Sequence, residues 1–246
     1  MHPAFVMGSV LCYNMGRFHS YMLNGRETTM TSLEKMDDFF TARVDGYDEH
    51  MLTNVCGCRQ AYREMARLLP RSCRVLLDLG CGTGLELDEI WKIRPDIAVV
   101  GIDLTQAMLD KVREKHPDKQ MTCICGDYFT EELGESRFDC AISFQTMHHF
   151  SHERKIGLYR KIHRSLKDNG NYIECDYMVE SQEEEEFYFA QNTRIRAEQK
   201  IPSDAFYHYD IPCTVTNQIN MLRTAGFPFV EKVFRLGNTT ILVAGK

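Results

Sequence analysis

Arg74-Val-Leu-Leu-Asp-Leu-Gly-Cys-Gly-Thr-Gly84 is the stretch that decides the fold. Arg74 to Asp78 reads as a buried parallel strand, its Val75-Leu76-Leu77 middle apolar because helices cover both faces of such a sheet. A turn with Gly80, Gly82 and Gly84 follows, and a helix starts near Leu85. Glycine lets the backbone take positive φ and lets a ligand lie directly on the main chain. The helix N-terminus behind the turn offers free N–H groups to a negative or polar group. A second strand, Val99-Val-Gly-Ile-Asp103, ends in a carboxylate 19 residues after Gly84. That spacing suits the acid at the end of the second strand of a nucleotide-binding βαβ unit, placed to accept hydrogen bonds from a ribose.

The glycine spacing separates two nucleotides. A G-x-G-x-x-G fingerprint for NAD fails here, because counting from Gly80 puts Leu85 at its third glycine and counting from Gly82 puts Leu87 there. The pattern present is D-x-G-x-G-x-G, Asp78 to Gly84. It resembles motif I of the class I S-adenosylmethionine (SAM) methyltransferases. The resemblance is densest over residues 74–150, thinner over 151–175 and 214–246, and slight elsewhere. It implies an α/β fold: a Rossmann-like doubly wound sheet of seven strands in the order 3-2-1-4-5-7-6, strand 7 antiparallel.

The rest of the chain is consistent with that layout. Residues 31–70 read as one or two helices, interrupted by a polar break at Asp45–Met51, with Cys58 to Leu69 amphipathic and stopped by Pro70. The helix after the glycine turn stops before Pro95, and Thr105 caps the next, whose apolar face holds Ala107, Met108, Leu109 and Val112. Gln120–Cys125 and Phe138–Phe144 read as the third and fourth strands, and Ser151 caps a helix to Leu166 ended by Lys-Asp-Asn-Gly170. Asn171–Cys175 is the fifth strand. A helix from Thr214 or Thr216 to Ala225 and a hairpin over Val230–Leu236 and Thr240–Ala244, turning at Gly237-Asn238, close the chain. The strand–helix alternation is interrupted between about 177 and 213, a lid insertion with an acidic run, Glu183–Glu186, read as a solvated helix face. One domain is expected over 31–246, with residues 1–30 a flexible extension; Met30 and Met36 are further candidate starts.

Composition bounds the function. The net charge of −6 argues against a nucleic-acid partner, which usually needs a basic face. No run reaches the roughly 18–20 apolar residues of a membrane span. No basic leader precedes the apolar residues near the start, so no signal peptide is expected. The ten cysteines include no C-x-x-C pair, and the C-x-C pairs lack partners at zinc-finger spacing. They read as reduced thiols of a cytoplasmic protein, and no metal site is expected. The chain is expected to be a monomer or homodimer.

In open α/β sheets the ligand lies at the C-terminal ends of the strands, where strand order reverses. The resemblance implies that Gly80, Cys81, Gly82 and Gly84 approach the amino-acid and ribose parts of SAM. Asp78 supports the loop and the methionine ammonium, and Asp103 takes both ribose hydroxyls. Leu104 and Met108 wall the adenine, and Gly126-Asp127-Tyr128 meets its edge. Ser143, Phe144 and Gln145 line the transfer region. Tyr47 lies near the methionine end or packs in a capping turn; both readings stand.

His148 and His149 follow the fourth strand, where the family faces the sulfonium. One of them is a candidate general base, because imidazole titrates near neutrality, and a helix cap or solvent contact is the other reading. Methyl transfer is an in-line displacement in which alignment supplies much of the rate, so a base is not obligatory. Aromatic residues of the insertion, including Phe187, Tyr188, Phe189, Phe206, Tyr207, His208 and Tyr209, either wall an acceptor pocket or pack the insertion onto the sheet. Tyr207 and His208, with Gln145, are the acceptor candidates. The resemblance thus implies methyl transfer from SAM, leaving S-adenosylhomocysteine, to a small organic acceptor. The alternatives are a SAM-binding protein acting through a partner without turnover, and an NAD-linked oxidoreductase that Leu85 and Leu87 disfavour.

Overall fold

β1 (Val75–Leu79) lies at the centre of the sheet, with Leu76, Leu77 and Leu79 fully buried. The computed structural model describes residues 32–246, so the extension expected at 1–30 lies outside the described residues. β1 pairs in parallel with β2 (Ala98–Asp103) on one side and β4 (Phe138–Phe144) on the other. β3 (Met121–Cys125) extends the sheet beyond β2, and β5 (Leu166–Val179) beyond β4. The hairpin of β7 (Phe229–Leu236) and β8 (Thr239–Gly245) closes it, β8 antiparallel to β5. The order is β3-β2-β1-β4-β5-β8-β7, with a two-residue β6 (Cys213–Thr214) paired to β5 off this path. Apart from that extra short strand, this is the expected order.

Alternate β1 residues go to opposite layers, as strand geometry requires. Leu76 packs with α3 (Cys58–Leu68) and α4 (Leu85–Ile93). Leu77 and Leu79 join the layer holding α6 (His152–Ser165) and α8 (Val215–Thr224). α5 (Gln106–Lys115) sends Val112 into the first layer. Each large aliphatic side chain buried this way is worth about 1.5–3 kcal/mol. No helix among the described residues is long and apolar enough to cross a membrane.

Three local readings change. The N-terminal part holds three helices, α1 (Met36–Thr41), α2 (Val44–Thr53) and α3, and the supposed polar break lies inside α2. There Met51 is buried and Asp48 accepts a hydrogen bond from Thr83 Oγ1, so tertiary contacts override the weak propensity of Gly46. β5 runs from Leu166 rather than Asn171, because Asn169 takes φ 63° and the pairing with β4 shifts register there instead of starting after the turn. Asn tolerates that left-handed conformation better than most residues. Finally, the acidic run opens α7 (Gln182–Glu198), but Glu185 is buried and not solvated. Its carboxylate accepts from the Thr214 backbone N–H and the Asn217 amide.

Candidate functional site

The C-terminal ends of β1, β2 and β4 open into a cleft of about 600 Å³. Gly80 and Gly82 form its floor, and Asp103, Leu104, Thr105 and Met108 one flank. Gly126, Asp127 and Tyr128 continue that flank, while Phe144, Gln145, Thr146 and Phe150 come from the end of β4. Met36 and Phe40 of α1, Tyr47 of α2 and Phe206 of the insertion cover it. Among these lining residues there is no lysine or arginine.

The glycine turn is built for close approach. Gly82 has φ 47°, and a Cβ there would meet nothing nearer than Tyr47 Cε1 at 3.9 Å, so the main chain is open to the cleft. Gly84 serves a different end: with φ 76°, its Cβ would come within 2.5 Å of Val112 Cγ2. Its lack of a side chain lets α5 pack against the start of α4. Asp103 clamps the turn, its Oδ2 accepting from the Gly82 N–H at 2.8 Å and its Oδ1 from the Thr105 N–H at 2.9 Å. A carboxylate oxygen has a second lone pair, so both oxygens keep acceptor capacity toward the cleft. Burial raises the Asp103 pKa, and the two backbone N–H groups oppose that rise.

Behind the turn, Asp78 is fully buried and faces the buried Glu86 of α4. Burial raises Asp78 to about 7 and Glu86 well above its ordinary value, and neither carboxyl has a cation in contact. The pair therefore retains a proton near neutrality. Over the turn, Asp48 of α2 also pairs with Lys115 at 3.1 Å, and Lys115 with Asp88 at 2.9 Å. These contacts fix the helix that carries Tyr47 into the cleft.

A second polar cluster lies beside the end of β4, where Gln145 takes φ 50° and a single 3-10 turn, Met147–His149, follows. His148 is 1% exposed, and its Nδ1 lies 2.6 Å from Asp176 Oδ1 of β5. Its Nε2 faces Asp210 Oδ1 of the insertion at 3.5 Å. His149 Nδ1 is 3.4 Å and His208 Nε2 4.0 Å from that same oxygen. Burial pulls His148 down, but Asp176 and Asp210 together raise it to about 10. Burial and the neighbouring histidines hold His149 well below its ordinary value, and burial takes His208 down to about 4. Burial opposes ionisation of Asp210, yet the histidines keep it well below the usual carboxylate range. Paired with Asp176 through Nδ1 and facing Asp210 with Nε2, His148 keeps its proton and is not poised to accept another at neutral pH.

The remaining candidates divide between cleft and core. Tyr47, Gly80, Gly82, Asp103, Leu104, Met108, Gly126, Asp127, Tyr128, Phe144 and Gln145 line the cleft. Asp78, Cys81, Gly84 and Ser143 do not: the Cys81 side chain packs against Gly101, and the Ser143 hydroxyl bonds Tyr172 in the core at 2.7 Å. His148 and His149 stand behind the lining, and so do Tyr207 and His208. Tyr207 makes a backbone bridge to Lys35, and His208 stacks on Phe39. Of the insertion's aromatic residues only Phe206 reaches the cleft; Phe187 is half exposed and Phe189 packs on His152. Sequence reasoning missed Met36, Phe40, Thr105, Thr146 and Phe150 in the lining, and Asp176 and Asp210 beside the histidines. The one signal for Asp210 is its place at the end of Phe206-Tyr-His-Tyr-Asp210.

The chain was compared with known proteins. A family model described as a methyltransferase domain matches residues 76–170. The carboxy-S-adenosyl-L-methionine synthase of Helicobacter pylori strain G27 is 30% identical over 223 residues, covering 85% of this chain and 90% of that protein. The enzyme of the same name from Campylobacter lari is 26% identical over 232 residues, covering 87% and 96%. Among solved structures, a putative O-methyltransferase from Nostoc punctiforme superposes with a TM-score of 0.65 at 18% identity, over 89% of this chain and 63% of that one. At that identity the likeness speaks for the fold alone.

Proposed function

Because the chain belongs to the class I SAM-dependent methyltransferase family, we propose that it transfers a methyl group from SAM to a small, largely apolar organic acceptor. The observation that carries this reading is the division of the cleft into two unlike halves. The glycine-turn half offers open main chain at Gly82 and a clamped carboxylate at Asp103, which suit a ribose and the groups on either side of it. The other half is walled by Met36, Phe40, Phe150 and Phe206. SAM, when bound, supplies a methyl group activated by a sulfonium.

The chain's own residues would then hold and align. Asp103 accepts from the ribose hydroxyls with the lone pairs its backbone bonds leave free. Leu104 and Met108 wall the base, and the Asp78–Glu86 pair, lacking a cation, gives the ligand's ammonium an electrostatic counterpart behind the turn. Phe40, Phe150 and Phe206 exclude water and position the acceptor, which is where an in-line transfer gains most of its rate.

The name of the relatives supports a second reading, formation of carboxy-SAM. A carboxylate carried to the sulfonium favours a cationic side chain beside it, and among the described residues the lining includes no lysine or arginine. Methyl transfer is therefore the preferred reading. Calorimetric titration with SAM, S-adenosylhomocysteine and NAD, followed by mass spectrometry of turnover mixtures with an acceptor panel, tests it. Adenosyl binding with S-adenosylhomocysteine release and a methylated acceptor is expected. Accumulation of carboxy-SAM in parallel mixtures that also contain a small-molecule carboxyl donor would replace this reading with the second, and binding without any turnover would favour a binding protein that acts through a partner.

A further inference from the structure

Outside the cleft lining, two groups of mostly buried side chains bring metal-ligating atoms together among the described residues. In the first, His152, Glu185 and Cys213, the place of a cation is already taken: Lys155 Nζ lies 3.0 Å from Cys213 Sγ, and backbone and amide donors fill the Glu185 carboxylate. The second is the cluster at the end of β4, where no ammonium or guanidinium intervenes among the contacts. We propose that His148, His149 and Asp210 form a binding site for a divalent transition-metal ion that fastens the insertion to the sheet, with His208 at its rim.

Geometry carries this. Asp210 Oδ1 lies 3.4 Å from His149 Nδ1, 3.5 Å from His148 Nε2 and 4.0 Å from His208 Nε2. These are long for hydrogen bonds. The first two match edges of a tetrahedral ligand set, about 3.3–3.4 Å when each bond to the ion is about 2.0–2.1 Å, and the third is longer. His148 Nε2 and Asp210 Oδ1 are both buried without a hydrogen-bond partner and face one another. His148 has the orientation of a metal ligand, since its other nitrogen is held by the Asp176 carboxylate at 2.6 Å, and binding the ion displaces the Nε2 proton to solvent. His208 and Asp210 keep 18% and 15% of their side-chain surface exposed, which leaves a route inward. Two imidazoles and one carboxylate favour zinc, iron or nickel over magnesium or calcium, which prefer oxygen donors.

The ion would join two segments distant in the chain. His148 and His149 follow β4, while His208 and Asp210 belong to the insertion, already tied there by the Ile211 N–H to the His148 carbonyl at 2.8 Å. The test uses tag-free, full-length protein stripped with chelator and then titrated with Zn2+, with Mg2+ for comparison. A single saturable Zn2+ equivalent is expected, with no Mg2+ binding. Asp210→Asn and His149→Ala should abolish it, Asp176→Asn should weaken it about 10–100-fold, and His152→Ala should leave it unchanged. The visible spectrum of the Co2+-loaded wild type is a second measurement that needs no variant: tetrahedral bands without a thiolate charge-transfer band are expected. Absence of saturable Zn2+ binding would overturn the proposal. So would binding that survives Asp210→Asn and His149→Ala, or a thiolate band, which would move the ion to Cys213. Titration of the stripped protein with S-adenosylhomocysteine reads the cofactor cleft separately, so the two readings fail independently.

Discussion

Two buried acid clusters flank the cleft, and they carry opposite charge states. Behind the glycine turn, Asp78 meets only another carboxyl, Glu86, and burial raises both. Under the insertion, Asp210 meets three histidines and stays ionised despite being buried. The residue type is the same; the neighbours decide whether the proton stays or leaves. The difference gives the two walls different tasks. The sheet wall has surplus acid awaiting a cation, which suits a ligand with an ammonium. The insertion wall has already matched its charge internally, which suits a clasp.

The clasp should be the more fragile of the two. Asp176→Ala removes one of the carboxylates that balance His148 and leaves a buried imidazolium facing Asp210 alone at 3.5 Å. Breaking a buried pair from one side typically costs about 3–5 kcal/mol. Urea denaturation at neutral pH should show a loss of that size; a loss under about 1 kcal/mol would mean that the cluster behaves like a surface pair and that the comparison fails.

The sheet wall should respond in the opposite direction. Asp78 has a folded-state pKa near 7 against an ordinary value of 3.8, so the folded protein keeps a proton that the unfolded chain releases between those values. The folded state binding more protons means that stability falls as pH rises through that window and levels off above it. Asp78→Asn is neutral throughout. Without ligand, it should match the wild type near pH 4 and exceed it by about 2–4 kcal/mol at pH 8. Equal urea midpoints at both pH values would show that Asp78 is not held protonated.

Next in size is the carboxylate that clamps the turn. Asp103→Asn keeps one acceptor oxygen but turns an amide NH2 toward either Gly82 N–H or Thr105 N–H, both of which donate. SAM affinity should fall by about 1–3 kcal/mol, the scale of charge-assisted hydrogen bonds. Calorimetry reads this directly, and an unchanged dissociation constant would take Asp103 out of the ribose role.

The two walls also differ in how far they could be read from the chain. The glycine turn and Asp103 were legible because each is coded locally: a strand, a turn needing positive φ, a helix and an acid at fixed spacing; the strand order followed only from the family resemblance that those residues carry. Gly84 shows the limit even there. Its motif position suggested a ligand contact, but the demand it meets is Val112 of α5. On the insertion wall the partners are remote. Nothing near His148 in sequence announces Asp176 or Asp210, and the aromatic run at 206–209 gives no hint that only Phe206 turns to the cleft. Met36 and Phe40 were missed for the same reason, since their cover of the cleft depends on where α1 docks.

One element of the insertion wall is locally coded, and it supplies the smallest and most specific test of the comparison. Thr214 opens α8, its hydroxyl accepting from the Asn217 N–H at 3.2 Å, while its own N–H donates to Glu185 of α7. Thr214→Ala deletes the hydroxyl cap and leaves the backbone bond to Glu185 intact. An N-cap loss of this kind costs about 1 kcal/mol. Since Thr214 does not line the cleft, the cost should appear in the urea midpoint and not in the SAM dissociation constant. Thr214→Ser should restore the midpoint, because a hydroxyl in the same place accepts the same bond. If SAM affinity falls with Thr214→Ala as well, the insertion is coupled to the cofactor half of the cleft through α8, and the two walls are one cooperative unit rather than a ligand cradle and a separate clasp.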